Sequence, residues 1–224
     1  MSQLEDEDLV MQVAATLFPH QVDRFPDVNG LRLWVDGDPL TPEEPADEAR
    51  AIFQTSLGVL RTWRPGAGEL EVERLRGLGA GTIQDRARNQ WGTAAAAVTY
   101  SSGLGELASL ITCAARALPS TDRLGEALWL LGRAHPDAAE FFMIFEYAGL
   151  DPLLGGSEQL MINRLGFSTD WARDFRRSAH NLAPKAGGRH AKTGQAPPWN
   201  LTKLREATAE LLRRWIRYVG EQAD

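Results

Sequence analysis

Apolar residues recur along most of the chain at the three- and four-residue spacing of amphipathic helices. Seven segments show this pattern, and glycine, proline or polar residues separate them. They lie at residues 9–17, 41–63, 107–118, 120–131, 137–147, 168–182 and 200–219. Because strand-like alternation is confined to short stretches, the sequence predicts a mainly α protein, a single helical-bundle domain of about seven helices.

Polar residues that commonly cap helices precede several of these segments. Residues 41–44, Thr-Pro-Glu-Glu, combine a capping hydroxyl, a proline at the first helical position and glutamates in the first turn. Ser120–Asp122, Ser168 and Asn200 supply capping oxygens for three further helices. His135 precedes a helix-opening proline, so we interpret it as a capping residue. The helix that follows is apolar on all sides, which predicts that it occupies the centre of the core.

A small β element is predicted near the N-terminus. Leu31–Val35 alternates apolar and polar residues, and the Asp36-Gly37 dipeptide that follows is typical of hairpin turns. Leu70–Leu75 also alternates, but it lies in a glycine-rich stretch between residues 66 and 105 that gives no further assignment.

Length and composition indicate one ordinary folded unit. The chain has 224 residues, of which 43% are hydrophobic, and this fraction is too high for a disordered protein. We expect residues 1–66 to form acidic N-terminal helices with a short β-hairpin. We expect residues 67–224 to form a helical core domain with a basic C-terminal region, packed with the first part into one compact unit.

Several classes of protein are excluded by composition. The single cysteine, Cys113, excludes a disulfide framework, a cysteine zinc site and an iron–sulfur site, and it is expected to be a small buried hydrophobe. No run of apolar residues approaches the about 18 needed to span a membrane. The first eight residues are acidic, unlike the basic start of a secretory signal. We therefore expect a cytoplasmic protein with no membrane partner.

Charge is distributed unevenly along the chain. Residues 1–160 contain 12 arginines, no lysine and 24 acidic residues, which leaves a formal charge of −12. Residues 161–224 contain 9 arginines, 3 lysines and 6 acidic residues, which leaves +6. A basic region on an acidic body is typical of contact with a phosphate backbone or an acidic partner. Attraction between the two regions, within one chain or between two copies, is the alternative.

Most candidate sites lack part of the pattern that their chemistry needs. The Gly77–Gly81 turn resembles a phosphate-binding loop, but it lacks the third glycine of the dinucleotide fingerprint and any P-loop lysine. Ser101–Gly103 lacks the glycine spacing of a nucleophile elbow. The four histidines form no HExxH motif and no set with acidic residues at metal-ligand spacing. The sequence therefore predicts no metal site and no cofactor.

One constellation remains, in the basic helix after Ser168. Arg173 and His180 are seven residues apart, which is two helical turns, so both side chains point to the same face. Arg176 reaches that face one turn before His180. A histidine beside guanidinium groups can transfer a proton while arginine neutralises a phosphate, which suits RNA cleavage by the neighbouring 2′-hydroxyl. A solvated basic helix with a histidine near its C-terminus is the structural alternative.

Arginine, then aspartate, then five residues, then histidine, inside a helical protein, resembles the R-x(4–6)-H signature of HEPN-type domains. That resemblance covers one helix. It implies a dimeric helical bundle whose paired motifs form a metal-independent ribonuclease site in bacterial defence or toxin systems. By the same resemblance Arg173 would bind phosphate, Asp174 would be its polar neighbour and His180 would transfer the proton.

The chain after Asp137 is also similar to uncharacterised bacterial and phage-borne reading frames. The shared pattern is an aromatic-rich helix, Phe175-x-x-Ser-Ala, Gly188–Ala191, a proline-rich turn and a final helix that carries tryptophan. This second resemblance implies an architecture and no activity. It makes Arg189 and His190, in place of His180, the candidate functional residues. The basic residues expected to contact nucleic acid are Arg176, Arg177, Lys185, Arg189, His190 and Lys192.

The sequence therefore predicts a nucleic-acid-contacting helical protein, with RNA as the first candidate partner and cleavage as its possible reaction. The alternative is a non-catalytic assembly or regulatory protein, bacterial or phage-borne, that acts by self-association or by binding a partner protein. Binding to phosphate should weaken steeply with salt, whereas association through apolar faces should survive it.

Overall fold

The computed structural model describes most of the chain, and the described part forms eight α-helices and four β-strands. The described residues are 3–19, 22–23, 32–33, 43–65, 69–77, 83–90, 103–133, 135–182, 186, 188 and 196–223. The helices are α1 Gln3–Leu17, α2 Glu43–Trp63, α3 Gly103–Ala117, α4 Asp122–Gly132, α5 Ala138–Leu150, α6 Glu158–Arg164, α7 Thr169–Asn181 and α8 Leu201–Gln222. Single 3-10 turns follow α3 and α5, at Leu118–Ser120 and Pro152–Leu154.

Seven of these helices coincide with the segments predicted from apolar spacing, and the prediction of a mainly α protein is confirmed. The predicted caps at Ser168 and Asn200 are present, since their side chains accept hydrogen bonds from Trp171 N and Lys203 N. The cap of α5 is Asp137 rather than His135: its carboxylate accepts from two backbone N–H groups in the first turn, and the Glu140 side chain completes a capping box.

Helix α6 was not predicted, because seven residues are too few to show a helical period. It begins after Ser157, whose side chain accepts a hydrogen bond from Leu160 N. It ends at Arg164, and Gly166, two residues further on, has a φ of 69°, the left-handed conformation that commonly terminates a helix. The next backbone N–H, of Phe167, donates to the Ile162 carbonyl at 2.9 Å. This ending fixes the direction in which the chain enters α7.

The strands form one antiparallel sheet in the order β1-β2-β4-β3. They are β1 Val22–Asp23, β2 Arg32–Leu33, β3 Glu69–Gly77 and β4 Ile83–Gln90. The alternation at Leu31–Val35 correctly indicated a strand, and that strand pairs with β1 before it and with β4 after it. The Asp36-Gly37 turn lies outside the described residues. The longest pairing, β3 with β4, has a bulge between Val72 and Arg74.

The core is shared by helices from both ends of the chain. Helix α5 contacts α4, α6, α7 and α8, as its all-round apolar sequence predicted. Its Phe141 and Ile144 are fully buried, as are Phe175 of α7 and Trp215 of α8. Helix α2 packs on α4 and α8 in the same cluster, so the predicted segments 1–66 and 67–224 contribute to one hydrophobic core.

Glycine allows α2 and α4 to cross with their backbones in contact. A Cβ on Gly58 would lie 2.7 Å from the Leu128 carbonyl carbon, and a Cβ on Gly132 would lie 2.6 Å from that of Gln54. The two close contacts are reciprocal. Gly58 faces Leu128, one turn before Gly132, and Gly132 faces Gln54, one turn before Gly58. No residue larger than glycine fits at either position without separating the helices.

Candidate nucleic-acid interface

Helix α7 is half buried along its length. Ala172, Phe175 and Ala179 are fully buried or nearly so, and they form the stripe that packs against α5 and α8. Such a stripe leaves the other side of the helix to solvent. The basic residues of α7 lie on that side.

Four basic side chains share one flank of α7, which we call the basic flank: Arg173, Arg176, Arg177 and His180. With 3.6 residues per turn they lie within about 100° of one another around the helix axis. The Arg173 side chain is 55% exposed and that of Arg176 is 44% exposed. Arg177 is exposed and His180 is partly buried. Arg173, Arg176 and His180 therefore lie on one face of α7, as the sequence predicted.

Carboxylates accompany the arginines of the basic flank. Arg173 Nη1 lies 2.8 Å from Asp170 Oδ1, and its Nε lies 3.6 Å from Asp174 Oδ1. Arg176 Nη1 donates to Glu158 Oε2 of α6 at 3.1 Å. Exposed pairs of this kind contribute about 1 kcal/mol or less, so an incoming phosphate can replace a carboxylate partner at little cost.

The His180 side chain packs against an aromatic ring of α5. Its imidazole lies on Phe142 of α5, with ring centroids 4.4 Å apart and planes tilted by 53°. Arg176 is one helical turn away, about 6 Å along the axis, whereas Arg173 is two turns and about 10 Å away. Since Arg173 also faces two carboxylates, Arg176 is the better-placed cation for a phosphate that touches His180.

The remaining predicted contacts, Lys185, Arg189, His190 and Lys192, lie outside the described residues. So do most of the Gly77–Gly81 turn and the first two residues of Ser101–Gly103. Cys113 is described: it packs against the core from α3, as expected of a small hydrophobe, but it is partly buried and not buried as predicted.

Much of the basic charge of α8 is used inside the molecule. Arg213 donates to the Thr62 carbonyl at the end of α2, through Nη2 at 2.6 Å and Nε at 3.1 Å. Arg214 donates to the Leu165 carbonyl after α6 at 2.9 Å. Arg217 pairs with Glu106 of α3 at 3.0 Å. These arginines link α8 to other parts of the molecule. The number of positive charges that α8 presents to a partner is therefore smaller than the C-terminal net charge indicates.

A buried polar network was not predicted from the sequence. The Asp151 carboxylate is fully buried and accepts hydrogen bonds from Thr121 Oγ1 at 2.8 Å, Trp215 Nε1 at 3.1 Å and Leu153 N at 2.7 Å. Thr121 was expected to cap α4, but its hydroxyl is directed to Asp151 instead. Three donors explain how a carboxylate is accommodated in this core. The network joins α4, α8 and the turn after α5.

Metal-ligating groups do not gather in the described part of the chain: no three side chains of His, Cys, Asp or Glu lie close enough together to hold an ion. Among the same residues, no helix has both the length and the apolar character to cross a membrane.

The chain matches no protein-family model, and no curated protein or solved structure is significantly similar to it. The resemblance of α7 to HEPN-type domains therefore depends on the spacing of Arg173, Asp174 and His180 alone. It stays a prediction.

Proposed function

We propose that this protein contacts nucleic acid through the basic flank of α7, with RNA as the first partner to test. One observation carries the proposal: three arginines and a partly buried histidine share one flank of a helix whose opposite side packs into the core. The fixed helix holds the cations in register, so a phosphate backbone can meet several of them at once.

The same flank has the groups for RNA cleavage without a metal, as the HEPN resemblance implies. Neutral His180 takes the proton of a 2′-hydroxyl of the RNA, and the 2′-oxygen attacks the adjacent phosphorus. The bond from phosphorus to the 5′-oxygen breaks, leaving a 2′,3′-cyclic phosphate, and the 5′-oxygen takes a proton from water. Arg176, with Arg173 further along the helix, neutralises the charge that develops on the phosphate oxygens.

Binding is tested by fluorescence anisotropy of a labelled single-stranded RNA at several salt concentrations. The variant Arg176→Ala/Arg177→Ala removes two cations from the basic flank, and Arg50→Ala/Arg116→Ala removes two exposed cations from α2 and α3. We expect the first variant to reduce the slope of log K against log salt by about 1.4, since each lost phosphate contact on a single strand contributes about 0.7. The control should keep the wild-type slope.

Equal slopes for the two variants would show that the flank does not bind the backbone. Cleavage is tested separately on total cellular RNA with EDTA present. Loss of activity in His180→Ala alone would support the α7 site, whereas loss in His190→Ala alone would move the site to the segment after α7. No cleavage by the folded wild type would leave a protein that binds without catalysis.

Association with a protein, or with a second copy, is the second candidate function. In the described part of the chain the large hydrophobic side chains that stand exposed are Leu150, Leu153 and Leu160, and all three lie around the turn between α5 and α6. Such a patch favours a protein contact. Self-association that persists in 1 M salt, measured by light scattering, would favour this candidate, because burial of apolar surface is not screened.

A further inference from the structure

Three aromatic rings form a continuous row on the side of α7 away from the basic flank. The row, which we call the aromatic row, consists of Phe167 before α7, Trp171 in its first turn and Trp199 just before α8. Phe167 and Trp171 are stacked, with centroids 3.9 Å apart and planes 17° apart. Trp171 and Trp199 are 6.1 Å apart and tilted by 53°. All three rings are partly exposed.

A buried ring beneath the aromatic row and hydrogen bonds of its backbone N–H groups hold the three rings in place. Buried Phe175 supports both tryptophans, with centroids 5.3 Å from Trp171 and 6.2 Å from Trp199. The backbone N–H of Trp199 donates to the hydroxyl of Ser178, which is itself fully buried, at 3.0 Å. The backbone N–H groups of Phe167 and Trp171 are also hydrogen-bonded, so little freedom is left to lose when a ligand packs on the rings.

A cation lies over each end of the aromatic row. The Arg214 guanidinium carbon is 4.4 Å from the Phe167 ring centroid, and the Lys203 ammonium is 5.5 Å from that of Trp199. Arg214 is fixed there by the Leu165 and Gly166 carbonyls. The order along the row is therefore a cation, three rings that also pack against the core, and a second cation.

We propose that the aromatic row stacks unpaired bases of a single-stranded nucleic acid, while the Lys203 ammonium attracts its phosphates. Aromatic rings beside cations are how single strands are bound without sequence preference, because every base has a π-face. A duplex cannot use the row, since its bases are already stacked on one another. The inference rests on the proposed function and specifies the class of its ligand.

The aromatic row and the basic flank are two sides of one helix. Trp171 lies about 160° around the axis from Arg173. Between them, on the exposed side, are Asp170 and Asp174, and Arg173 lies within 3.6 Å of both carboxylates. A strand that stacks on the row and continues to the basic flank crosses these carboxylates where Arg173 offsets their charge. Arg173 thereby reduces the repulsion between the phosphates of the strand and these two carboxylates.

The test measures the affinity of the full chain for a uridine dodecamer and for a duplex RNA of the same length by anisotropy. Trp199→Leu removes one ring of the row. Trp129→Leu is the matched control, because Trp129 is also partly buried and carries a guanidinium, that of Arg133, 5.6 Å from its ring, yet lies outside the row. Each stacked base typically adds about tenfold to affinity.

We expect Trp199→Leu to weaken binding of the dodecamer about tenfold and to leave the duplex unchanged. Trp199→Phe, which keeps a ring, should restore most of the affinity, and Trp129→Leu should bind as the wild type does. Quenching of tryptophan fluorescence by the dodecamer should be smaller in Trp199→Leu than in Trp129→Leu. Circular dichroism at the binding temperature confirms that each variant is folded.

Equal binding of the dodecamer by Trp199→Leu and by the wild type would overturn the stacking site. So would an equal loss of dodecamer and duplex, or a phenylalanine variant as weak as the leucine one. If the wild type binds the dodecamer and Arg176→Ala/Arg177→Ala weakens it while Trp199→Leu does not, the proposed function stands and this inference fails. If the wild type binds neither RNA, both fail.

Discussion

Alanine in place of Gly58 tests whether the crossing of α2 and α4 is as close as the structure shows. Gly58 lies in the middle of α2, where alanine would ordinarily be the better helix former by about 1 kcal/mol. Here the added Cβ would stand 2.7 Å from the carbonyl carbon of Leu128 and closer still to its oxygen. An ordinary contact begins at 3.4 Å, so the helices must part by at least about 0.7 Å.

The obstacle is backbone, which no rotamer change can move aside. Overpacking of a core typically costs about 1–3 kcal/mol, and a clash with backbone belongs at the upper end of that range. After the gain in helix propensity, the free energy of unfolding should fall by about 2 kcal/mol. For a chain of this size that corresponds to a melting temperature about 4–8 °C lower.

Urea unfolding followed by circular dichroism measures this change, with the midpoint moving and the m-value constant. Gly125→Ala is the control, because a Cβ there meets the Leu118 Cδ2 atom at an ordinary 3.7 Å. It should raise the free energy of unfolding by about 0.5–1 kcal/mol. A Gly58→Ala protein that is as stable as the wild type, beside a stabilised Gly125→Ala protein, would refute the close crossing.

Two further predictions concern polar groups that the structure places at helix ends and in the core. Asp137→Ala should lower the free energy of unfolding by about 1–2 kcal/mol in urea titrations, because two N–H groups of α5 lose their cap. Asp137→Asn keeps a capping oxygen and should keep most of the stability. An equal loss of stability in both variants would argue against the cap. Trp215→Phe should lower it by about 2–3 kcal/mol, since the buried Asp151 carboxylate loses the indole donor. A loss below about 1 kcal/mol in the same titration would show that Asp151 does not depend on that donor.

Local pattern was enough for most of the helical fold. Apolar periodicity and the capping residues Ser168 and Asn200 located seven helices. A helix forms its backbone hydrogen bonds within one segment, and the spacing of its apolar residues shows which side is buried. The same spacing put Arg173, Arg176 and His180 on one flank of α7. Periodicity could not reveal α6, which is only two turns long.

What each side chain touches was decided by the tertiary structure. No spacing rule links Asp151 to Trp215, 64 residues away, or Arg213 to the carbonyl of Thr62, 151 residues away. The same holds for Trp199, which joins Phe167 and Trp171 in the aromatic row only because the turn before α8 packs on Phe175 of α7. The helices and their faces follow from the amino-acid sequence alone, because they depend on neighbours along the chain. The partners of the charged and aromatic side chains depend on which helices meet, and only packing decides that.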